Sequence, residues 1–362
     1  MNRKDPGGRA SIALAGGGII GLSIAWRLAQ AGFKTTVFDQ RTAGGEASWA
    51  GAGMLAPGGE MDEPGELTTL SIQSRRMYAR FVHELEEISE LLIDYQECGA
   101  LDIAYSEDEL AGLEQRAQRQ RALGIHSKRI TPAHLATFWP RIRRDGLLGG
   151  RFYPDDAIVN PRELTHALNC ACRKAGGTVT EYCLVRAIHV TRHGVSLHTS
   201  WGVQSFDAAI IAAGAWSDLI AVTGVPPLPK SEPVKGHLIG YRQPEQTCNT
   251  IVRHGHTYLL QRGNGLLVAG SSMERVGFDR EINPLVEADI TQRAGFVLPH
   301  LAETSPNESW MGFRPGADDL HTSSWHSPNL YLAYGHFRNG ILLAPVTAEL
   351  LREQVESNFQ SQ

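Results

Sequence analysis

Hydrophobic and polar positions near the start of the chain follow the pattern of a strand, a tight turn and a helix. An apolar run at 12–15 leads into consecutive glycines, and residues 22–30 then carry apolar side chains at helical spacing. A second run at 35–38 contains the β-branched and aromatic residues typical of a strand and is followed by Asp39. The pattern predicts a β-strand, an α-helix and a second β-strand, in this order.

Further along the chain, helix and strand patterns alternate without an internal repeat. Apolar positions recur at intervals of three and four over 67–91, which predicts a long amphipathic helix. Ser106 and Glu109 form a capping-box pattern at the start of a charged helix that ends at Gly124. The remaining predictions are strands at 101–105, 208–211, 234–241, 257–260 and 266–270, and a helix from Gly340 to about Leu351. This mixture predicts an α/β protein, α+β overall, in which the strands of 234–270 form an antiparallel sheet.

The glycines after the first predicted strand form the frame G-x-G-x-x-G, with Gly16, Gly18 and Gly21 at its fixed positions. The first glycine permits the turn, the second lets a pyrophosphate approach the backbone, and the third lets the helix pack against the strand. The helix N-terminus offers N–H groups and a partial positive charge to the phosphates. Because Asp39 follows the second strand, its carboxylate is placed to accept hydrogen bonds from a ribose. These features together predict a dinucleotide-binding site.

Length, charge and composition narrow the classes of function. The 362 residues are enough for two domains, and 42% of them are hydrophobic and 20% charged, as in globular proteins. The net charge of −5 argues against a nucleic acid or an anionic membrane as partner. We reject a secretory signal at the basic, then apolar N-terminus, because the apolar run continues into an amphipathic segment instead of a cleavage site. The same run is too short to span a membrane.

The cysteines indicate a reducing compartment. Their number is five, which is odd, and they are scattered along the chain, so we expect a cytoplasmic location. Cys170 and Cys172 have the spacing C-x-C, but residues two apart on a helix point in different directions. We therefore expect packing residues there, and no metal site is predicted.

Three glycine-containing segments resemble one known family. Residues 44–57 read G-G-E-A-S-W-A-G-A-G-M-L-A-P, and residues 310–316 and 335–345 read W-M-G-F-R-P-G and G-H-F-R-N-G-I-L-L-A-P. These segments resemble the D-amino-acid-oxidase-like flavoenzymes, and most closely the glycine oxidases of the ThiO type. The resemblance extends over about 12–351. It implies a Rossmann-like FAD-binding domain of the glutathione-reductase type, interleaved with an antiparallel-sheet substrate domain.

Both implied domains are discontinuous in sequence. The FAD-binding domain takes residues 10–60, 145–225 and 306–362, the substrate-binding domain takes 61–144 and 226–305, and 1–9 form a disordered N-terminal extension. One segment departs from the family, which has a G-x-P-x-I-G element between its two C-terminal motifs. Residues 317–328 are shorter and more polar than that element, so the resemblance leaves the shape of the substrate pocket open.

The resemblance also implies roles for single residues. Arg314 would bind the substrate carboxylate, Tyr258 would add its hydroxyl group, and Arg338 would lie beside the substrate at the flavin. The alternatives are a surface position for each arginine and a half-buried strand position for the tyrosine. FAD would be bound non-covalently, since neither C-terminal motif contains a cysteine. The expected cofactor contacts are Gly16, Gly18, Ile19, Ile20, Gly21, Asp39, Gln40, Ala47, Ser48, Ala52, Gly53, Met54, Val185, Gly214, His336, Phe337, Arg338, Asn339, Gly340, Ile341 and Leu342.

Several other polar residues have two interpretations each. Lys235 offers a positive charge that would assist dioxygen reduction, although we favour a structural role for it. His256 is two residues from Tyr258 and would share its face of a strand. Three histidines near predicted turns are expected at the surface rather than as ligands: His189, His193 and His198.

The function that the resemblance implies is oxidative deamination of glycine or another small amino acid. A hydride would pass from the substrate Cα to flavin N5, giving an imine, glyoxylate, ammonia and hydrogen peroxide, and the enzyme would supply thiamine thiazole synthesis. The partners would be the amino acid and dioxygen, with a homo-oligomer expected because resembling enzymes are tetramers. The alternatives are an oxidase or dehydrogenase for sarcosine, other N-methyl or D-amino acids, an oxidase module for a modified tRNA base, and a non-catalytic flavin-binding protein. The acidic charge argues against the tRNA module.

Overall fold

The structure is a computed structural model that describes residues 10–243 and 249–360. The predicted extension at 1–9 lies outside the described residues. The strands are β1 Ser11–Ala15, β2 Lys34–Phe38, β3 Met54–Leu55, β4 Tyr95–Gln96, β5 Ala100–Ala104, β6 Lys128–Ile130, β7 Gly149–Tyr153, β8 Ala157–Val159, β9 Thr178–Thr180, β10 Val185–Thr191, β11 Gly194–Thr199, β12 Gly202–Phe206, β13 Ala208–Ile211, β14 Ala221–Thr223, β15 Glu232–Arg242, β16 Ile251–His254, β17 Thr257–Gln261, β18 Leu266–Gly270, β19 Glu308–Gly316 and β20 Leu330–Leu332. The α-helices are α1 Ile19–Gln30, α2 Ala47–Ala50, α3 Pro57–Glu60, α4 Glu66–Ser89, α5 Glu107–Ala122, α6 Pro132–Phe138, α7 Pro161–Lys174, α8 Pro284–Val297 and α9 Gly340–Gln360.

A five-stranded parallel sheet contains the strands of the N-terminal nucleotide pattern. Its order is β20-β13-β1-β2-β9, and every neighbouring pair is parallel. Helices α1, α7 and α9 cover one face, where Leu14 and Leu22 lie in one hydrophobic core. The other face is covered by a second sheet, β12-β11-β10-β14, and there Phe38 packs with Ile188 and Leu197. This layered arrangement places the carboxyl ends of β1, β2 and β13 along one edge, which is where ligands bind in open parallel sheets.

An eight-stranded sheet lies next to this edge. Its order is β19-β15-β18-β17-β16-β5-β7-β6, and all neighbouring pairs are antiparallel except β16 and β5. On one face, Leu135 of α6 and Ile290 of α8 join a core with Ile239. Leu238, the preceding residue of β15, belongs to the opposite face and packs with Ala52 of the loop after β2. The eight-stranded sheet therefore closes over the edge of the parallel sheet.

The predicted fold class is confirmed, with one correction at the level of elements. The strands of 234–270 pair antiparallel as predicted, and the sheet extends beyond them through one parallel pair, β16 with β5. The C-terminal helix continues beyond the predicted Leu351 to Gln360, since Leu351 and Val355 are both buried four residues apart. The capping box at α5 forms as predicted: Ser106 Oγ accepts from Glu109 N at 3.2 Å, and Glu109 Oε2 accepts from Ser106 N at 3.1 Å.

The division into two domains stays a prediction. Strands β7 and β19 lie in segments predicted for the FAD-binding domain, and both pair within the eight-stranded sheet. Among the described residues, four cysteines are free, and no group of three or more His, Cys, Asp or Glu could hold a metal ion. No helix in the described part of the chain is long and apolar enough to cross a bilayer.

Candidate active site

The turn between β1 and α1 has the backbone that the glycine pattern requires. Gly16 has a φ of +111°, and a Cβ there would overlap the carbonyl group of Ala212. A Cβ on Gly21 would overlap the carbonyl oxygen of Gly16. Gly18 is the N-cap residue of α1 and leaves the helix without a side-chain cap. The turn is therefore tight, and the N-terminus of α1 is placed to bind an anionic group.

Asp39 follows β2 and is held close to this turn. Its Oδ2 accepts a hydrogen bond from Gly17 N at 2.8 Å, and its Oδ1 accepts one from Arg41 N at 2.8 Å. Burial raises the pKa of Asp39 to about 6, although these two hydrogen bonds act in the opposite direction. At neutral pH the carboxylate is ionised and is able to accept hydrogen bonds from ribose hydroxyl groups.

One large cavity lies between the edge of the parallel sheet and the face of the eight-stranded sheet. Its volume is about 1050 Å³, whereas sites for small ligands usually have roughly 300–1,000 Å³. Every cofactor and substrate residue predicted from the sequence lines this cavity, with the exception of Gly21, which lies at the contact between α1 and β1. The structure thus brings the predicted residues together, while their individual contacts with FAD stay a prediction.

The loop between β2 and β3 supplies small residues to the cavity and is fixed from both sheets. Ser48 Oγ accepts from Ile19 N at 2.9 Å, which ties the loop to α1. Arg262, which is 2% exposed, donates from Nη2 to the carbonyls of Gly51 at 3.0 Å and Ala52 at 3.3 Å. Sequence reasoning missed Arg262, because no local pattern marks an arginine of a strand end as a partner of this loop. A loop of small residues that is held in this way suits a flat ligand, and the residues present fit FAD.

The segment before α9 forms another part of the cavity wall. His336 is buried, and its Nε2 lies 3.1 Å from Thr347 Oγ1. Burial lowers the pKa of His336 to about 3, so this imidazole is neutral at pH 7. Gly340 begins α9, as the sequence predicts, and both residues line the cavity.

Arg314 of β19 and Tyr258 of β17 lie together at the wall formed by the eight-stranded sheet. Arg314 donates from Nη1 to the Ser272 carbonyl at 3.0 Å and from Nη2 to Ser271 Oγ at 2.9 Å. Both acceptors are neutral, and no carboxylate of the described residues pairs with Arg314 within 4.0 Å. Burial lowers the pKa of Arg314 and raises that of Tyr258. A partly desolvated guanidinium without a counter-ion is therefore available to a carboxylate ligand.

Two features near Arg314 were not predicted from the sequence. Ser271 is the first of these, because its hydroxyl accepts from Arg314 Nη2 and the residue lines the cavity together with Tyr258. Gly236 of β15 provides space for the guanidinium, since a Cβ there would overlap the Nη atoms of Arg314. The only sequence signal for either residue is its place in a strand pattern, and register decides which residues meet across a sheet.

Arg338 lines the cavity but differs from Arg314 in its surroundings. Its side chain is 52% exposed and forms an ion pair with Glu60 of α3. No sequence pattern marks Glu60 as a partner of Arg338. The predicted place of Arg338 beside the substrate stays a prediction, and its guanidinium already has a carboxylate partner.

The other polar residues have the following surroundings. Lys235 Nζ is 2.7 Å from Asp279 Oδ2 and donates to the Glu281 carbonyl at 2.5 Å, and Lys235 does not line the cavity. These contacts fit the structural role rather than a role in dioxygen reduction. His256 lines the cavity near Tyr258. The three turn histidines are exposed, as predicted: His189, His193 and His198.

The segment 317–328, where the sequence departs from the family, packs on the far side of β20. His321 and Ser324 form bridges to Tyr334 and Tyr331. Trp325 donates from Nε1 to the Pro226 carbonyl at 3.2 Å. No residue of this segment lines the cavity, so the wall of the substrate pocket is formed without it.

Comparisons with known proteins agree with this geometry. A family model described as FAD dependent oxidoreductase matches residues 11–354. The glycine oxidase of Geobacillus kaustophilus is 31% identical over 353 residues, which cover 96% of this chain and 93% of that protein. Its crystal structure gives a TM-score of 0.91 at 30% identity and covers 97% of this chain and 95% of that chain. The bifunctional protein ThiO/ThiG of Synechocystis sp. is 32% identical over 96% of this chain and 51% of its own length.

The parallel sheet with its glycine turn and the cavity shared with a second sheet define a dinucleotide-binding enzyme, and the family model identifies the dinucleotide as FAD. This chain belongs to the FAD-dependent oxidoreductase family, since the family model matches nearly all of it. The predicted cofactor, the predicted enzyme class and the resemblance to ThiO-type glycine oxidases are confirmed.

Proposed function

We propose that this enzyme oxidatively deaminates glycine or another small amino acid, with dioxygen as the electron acceptor. The overall reaction would convert glycine, dioxygen and water to glyoxylate, ammonia and hydrogen peroxide. The relatives named glycine oxidase support the substrate, and their coverage of nearly the whole chain supports one shared architecture. The relative named ThiO/ThiG supports a role in thiamine thiazole synthesis.

The observation that carries the proposal is the environment of Arg314. Its guanidinium faces the cavity, donates to two neutral oxygens, and has no ion-pair partner among the described residues. Burying a cation without a partner is costly, so such a side chain is typical of a site whose anion is the ligand. The carboxylate of an amino acid is an anion of the correct charge and shape.

The residues of the chain would act mainly by positioning. Arg314 would hold one edge of the carboxylate, and Tyr258, whose pKa is raised by burial, would remain a protonated donor to it. FAD, when bound, accepts the hydride that leaves the substrate Cα. No nucleophilic side chain is required, because holding the substrate in a reactive orientation supplies much of the rate enhancement. The wall formed by the eight-stranded sheet would exclude water from the reacting atoms.

Three finer statements belong to the same proposal. Dioxygen as the acceptor, a homo-oligomeric state and a cytoplasmic location are supported by the resemblance and by the cysteine pattern. The rival substrates are sarcosine and small D-amino acids, and a dehydrogenase would use another electron acceptor.

A panel of amines would test the proposed function. Purified protein is expected to be yellow and to produce hydrogen peroxide fastest with glycine among glycine, sarcosine, D-alanine and D-proline. Bleaching of the flavin absorbance by glycine under anaerobic conditions, without peroxide formation in air, would identify a dehydrogenase. If no amine bleaches the flavin, the enzymatic proposal is wrong and a non-catalytic flavin protein remains.

A further inference from the structure

Glu60 places a carboxylate in the cavity wall close to the predicted substrate residues. It is the last residue of α3, its side chain is 20% exposed, and it pairs with Arg338, a residue 278 positions away in the sequence. Both members of the pair line the cavity. The pair therefore belongs to the substrate end of the cavity and not to the protein surface alone.

The backbone that carries Glu60 is anchored by hydrogen bonds from buried side chains. Gln120 is fully buried and donates from Nε2 to the carbonyls of Gly58 at 2.9 Å and Met61 at 2.7 Å. Gly58 N donates to Asp156 Oδ1 at 3.0 Å. These hydrogen bonds fix α3 on both sides of Glu60, so the position of its carboxylate is determined by the fold.

The charge of Glu60 also reaches Arg314 and Tyr258. Burial is the main cause of the raised pKa of Tyr258, and the negative charge of Glu60 adds to it. The same charge opposes the lowering of the pKa of Arg314 by burial, while Arg338 lowers that pKa further. The two arginines, the tyrosine and the glutamate thus share one electrostatic environment.

Two of three arginines that line this part of the cavity have carboxylate partners. Arg338 is neutralised by Glu60, and Arg314 has no carboxylate partner among the described residues. A third arginine of the wall, Arg253, pairs with Asp102 and, at 3.0 Å, with Asp156. Of these three arginines, Arg314 is therefore the one left for the carboxylate of a ligand.

We propose that Glu60 is a specificity-determining residue, which by pairing with Arg338 restricts the enzyme to amino acids with one carboxylate. In its absence, the planar guanidinium of Arg338 would be free to bind a second carboxylate through two parallel hydrogen bonds. Glu60 accepts from Nη2 of this fork, and its negative charge would repel any second carboxylate that approaches. The inference rests on the proposed function, because it concerns the substrates of that same site.

The variant Glu60→Gln tests this proposal with two matched substrates. Glycine carries one carboxylate, and iminodiacetate is glycine with a second carboxymethyl group on its nitrogen. The ratio of kcat/KM for iminodiacetate to that for glycine is expected to rise roughly 10- to 100-fold in Glu60→Gln, the range that one charged contact provides. Binding of malonate, measured from the change in flavin absorbance, should tighten by a similar factor. This measurement does not depend on catalytic turnover.

Glu63→Gln is the matched control, because Glu63 is an exposed carboxylate in the same segment and does not line the cavity. Its substrate ratio should equal that of the wild type. If the wild type oxidises glycine and the ratio in Glu60→Gln stays within about twofold of wild type, the role of Glu60 is refuted while the proposed function stands. If the wild type itself does not oxidise glycine, the proposed function fails, and malonate binding still decides whether Glu60 excludes a second carboxylate.

A second variant keeps the test decisive if Glu60→Gln does not fold. Arg338→Gln leaves the Glu60 carboxylate without its partner, so malonate binding should weaken relative to the wild type, and the preference for glycine over iminodiacetate should increase. Tighter malonate binding in Arg338→Gln would overturn the proposal, because it would show that the pair does not control the second carboxylate.

Discussion

Removal of the Arg314 guanidinium is the most direct test of the substrate site. In the structure this group donates to Ser272 O at 3.0 Å and to Ser271 Oγ at 2.9 Å, and Arg314 lines the cavity. The substitution Arg314→Ala would leave the substrate carboxylate partly desolvated with only Tyr258 as a donor. It would also leave the Ser271 hydroxyl with one partner fewer.

The expected loss follows from the burial of this contact. Breaking a buried charged pair by removing one partner costs about 3–5 kcal/mol, which corresponds to roughly a 150- to 5,000-fold loss of kcat/KM. Most of the loss should appear as an increased KM for glycine, because the carboxylate is bound in the ground state as well as in the transition state. Arg314→Lys keeps the charge and loses the planar fork, so we expect an intermediate effect.

The assay is peroxide production against glycine concentration, together with the amount of FAD per protein. Arg242→Ala is the matched control, since Arg242 lies on β15, is 63% exposed and pairs with Glu308 at 2.8 Å. Its kinetic constants should match those of the wild type. An Arg314→Ala enzyme that retains FAD and loses less than about threefold in kcat/KM would show that Arg314 does not bind the substrate, since even one exposed charged contact has a comparable effect.

Three further predictions concern the cofactor site and the second substrate donor. Gly16→Ala should abolish or strongly reduce the FAD content, because its Cβ would overlap the Ala212 carbonyl at a φ of +111°, whereas Gly112→Ala, in open space on α5, should retain FAD and gain thermal stability. Tyr258→Phe should raise KM for glycine roughly 10- to 150-fold, the effect of one hydrogen bond to a charged group, and an unchanged KM would remove Tyr258 from the site. Asp39→Asn should weaken FAD binding in a fluorescence titration. The pKa of Asp39 is raised from 3.8 to about 6 on folding, so its contribution to the stability of the apoprotein is present below pH 3.8 and is lost as the pH rises through 6. The melting temperature of the Asp39→Asn apoprotein minus that of the wild-type apoprotein should therefore increase from pH 4 to pH 7. A difference that does not change with pH would contradict the raised pKa.

The parts of the structure that could be predicted from the sequence depend on contacts between residues a few positions apart in the chain. The glycine frame requires a turn at Gly16 because its residues are consecutive, and the capping box at Ser106 is satisfied three residues later. The long helix predicted at 67–91 corresponds to α4, since its apolar spacing is fully local. The local pattern also placed Tyr258 in a strand, whereas Arg314 was singled out by the resemblance and its strand was not predicted.

Residues that act across the chain were not predictable in the same way. Glu60 and Arg338 are 278 positions apart, and Arg262 and Ala52 are 210 apart, so no local pattern relates them. Apolar spacing shows which face of an element is buried, but it does not show which element covers that face. The parallel pairing of β16 with β5 was missed for the same reason.

The cofactor loop shows how two sheets jointly determine one site. Ser48 accepts from the first turn of α1, which belongs to the parallel sheet layer, while Trp310 Nε1 of the eight-stranded sheet donates to the Ala50 carbonyl at 2.8 Å. Arg262, from the same sheet as Trp310, donates to the next two carbonyls, and burial lowers its pKa to about 10. Three consecutive peptide groups are therefore held by donors of the eight-stranded sheet. The geometry of the FAD cradle is in this way coupled to the sheet that carries Arg314, so the distance between cofactor and substrate is set by the packing of the two sheets rather than by the loop alone.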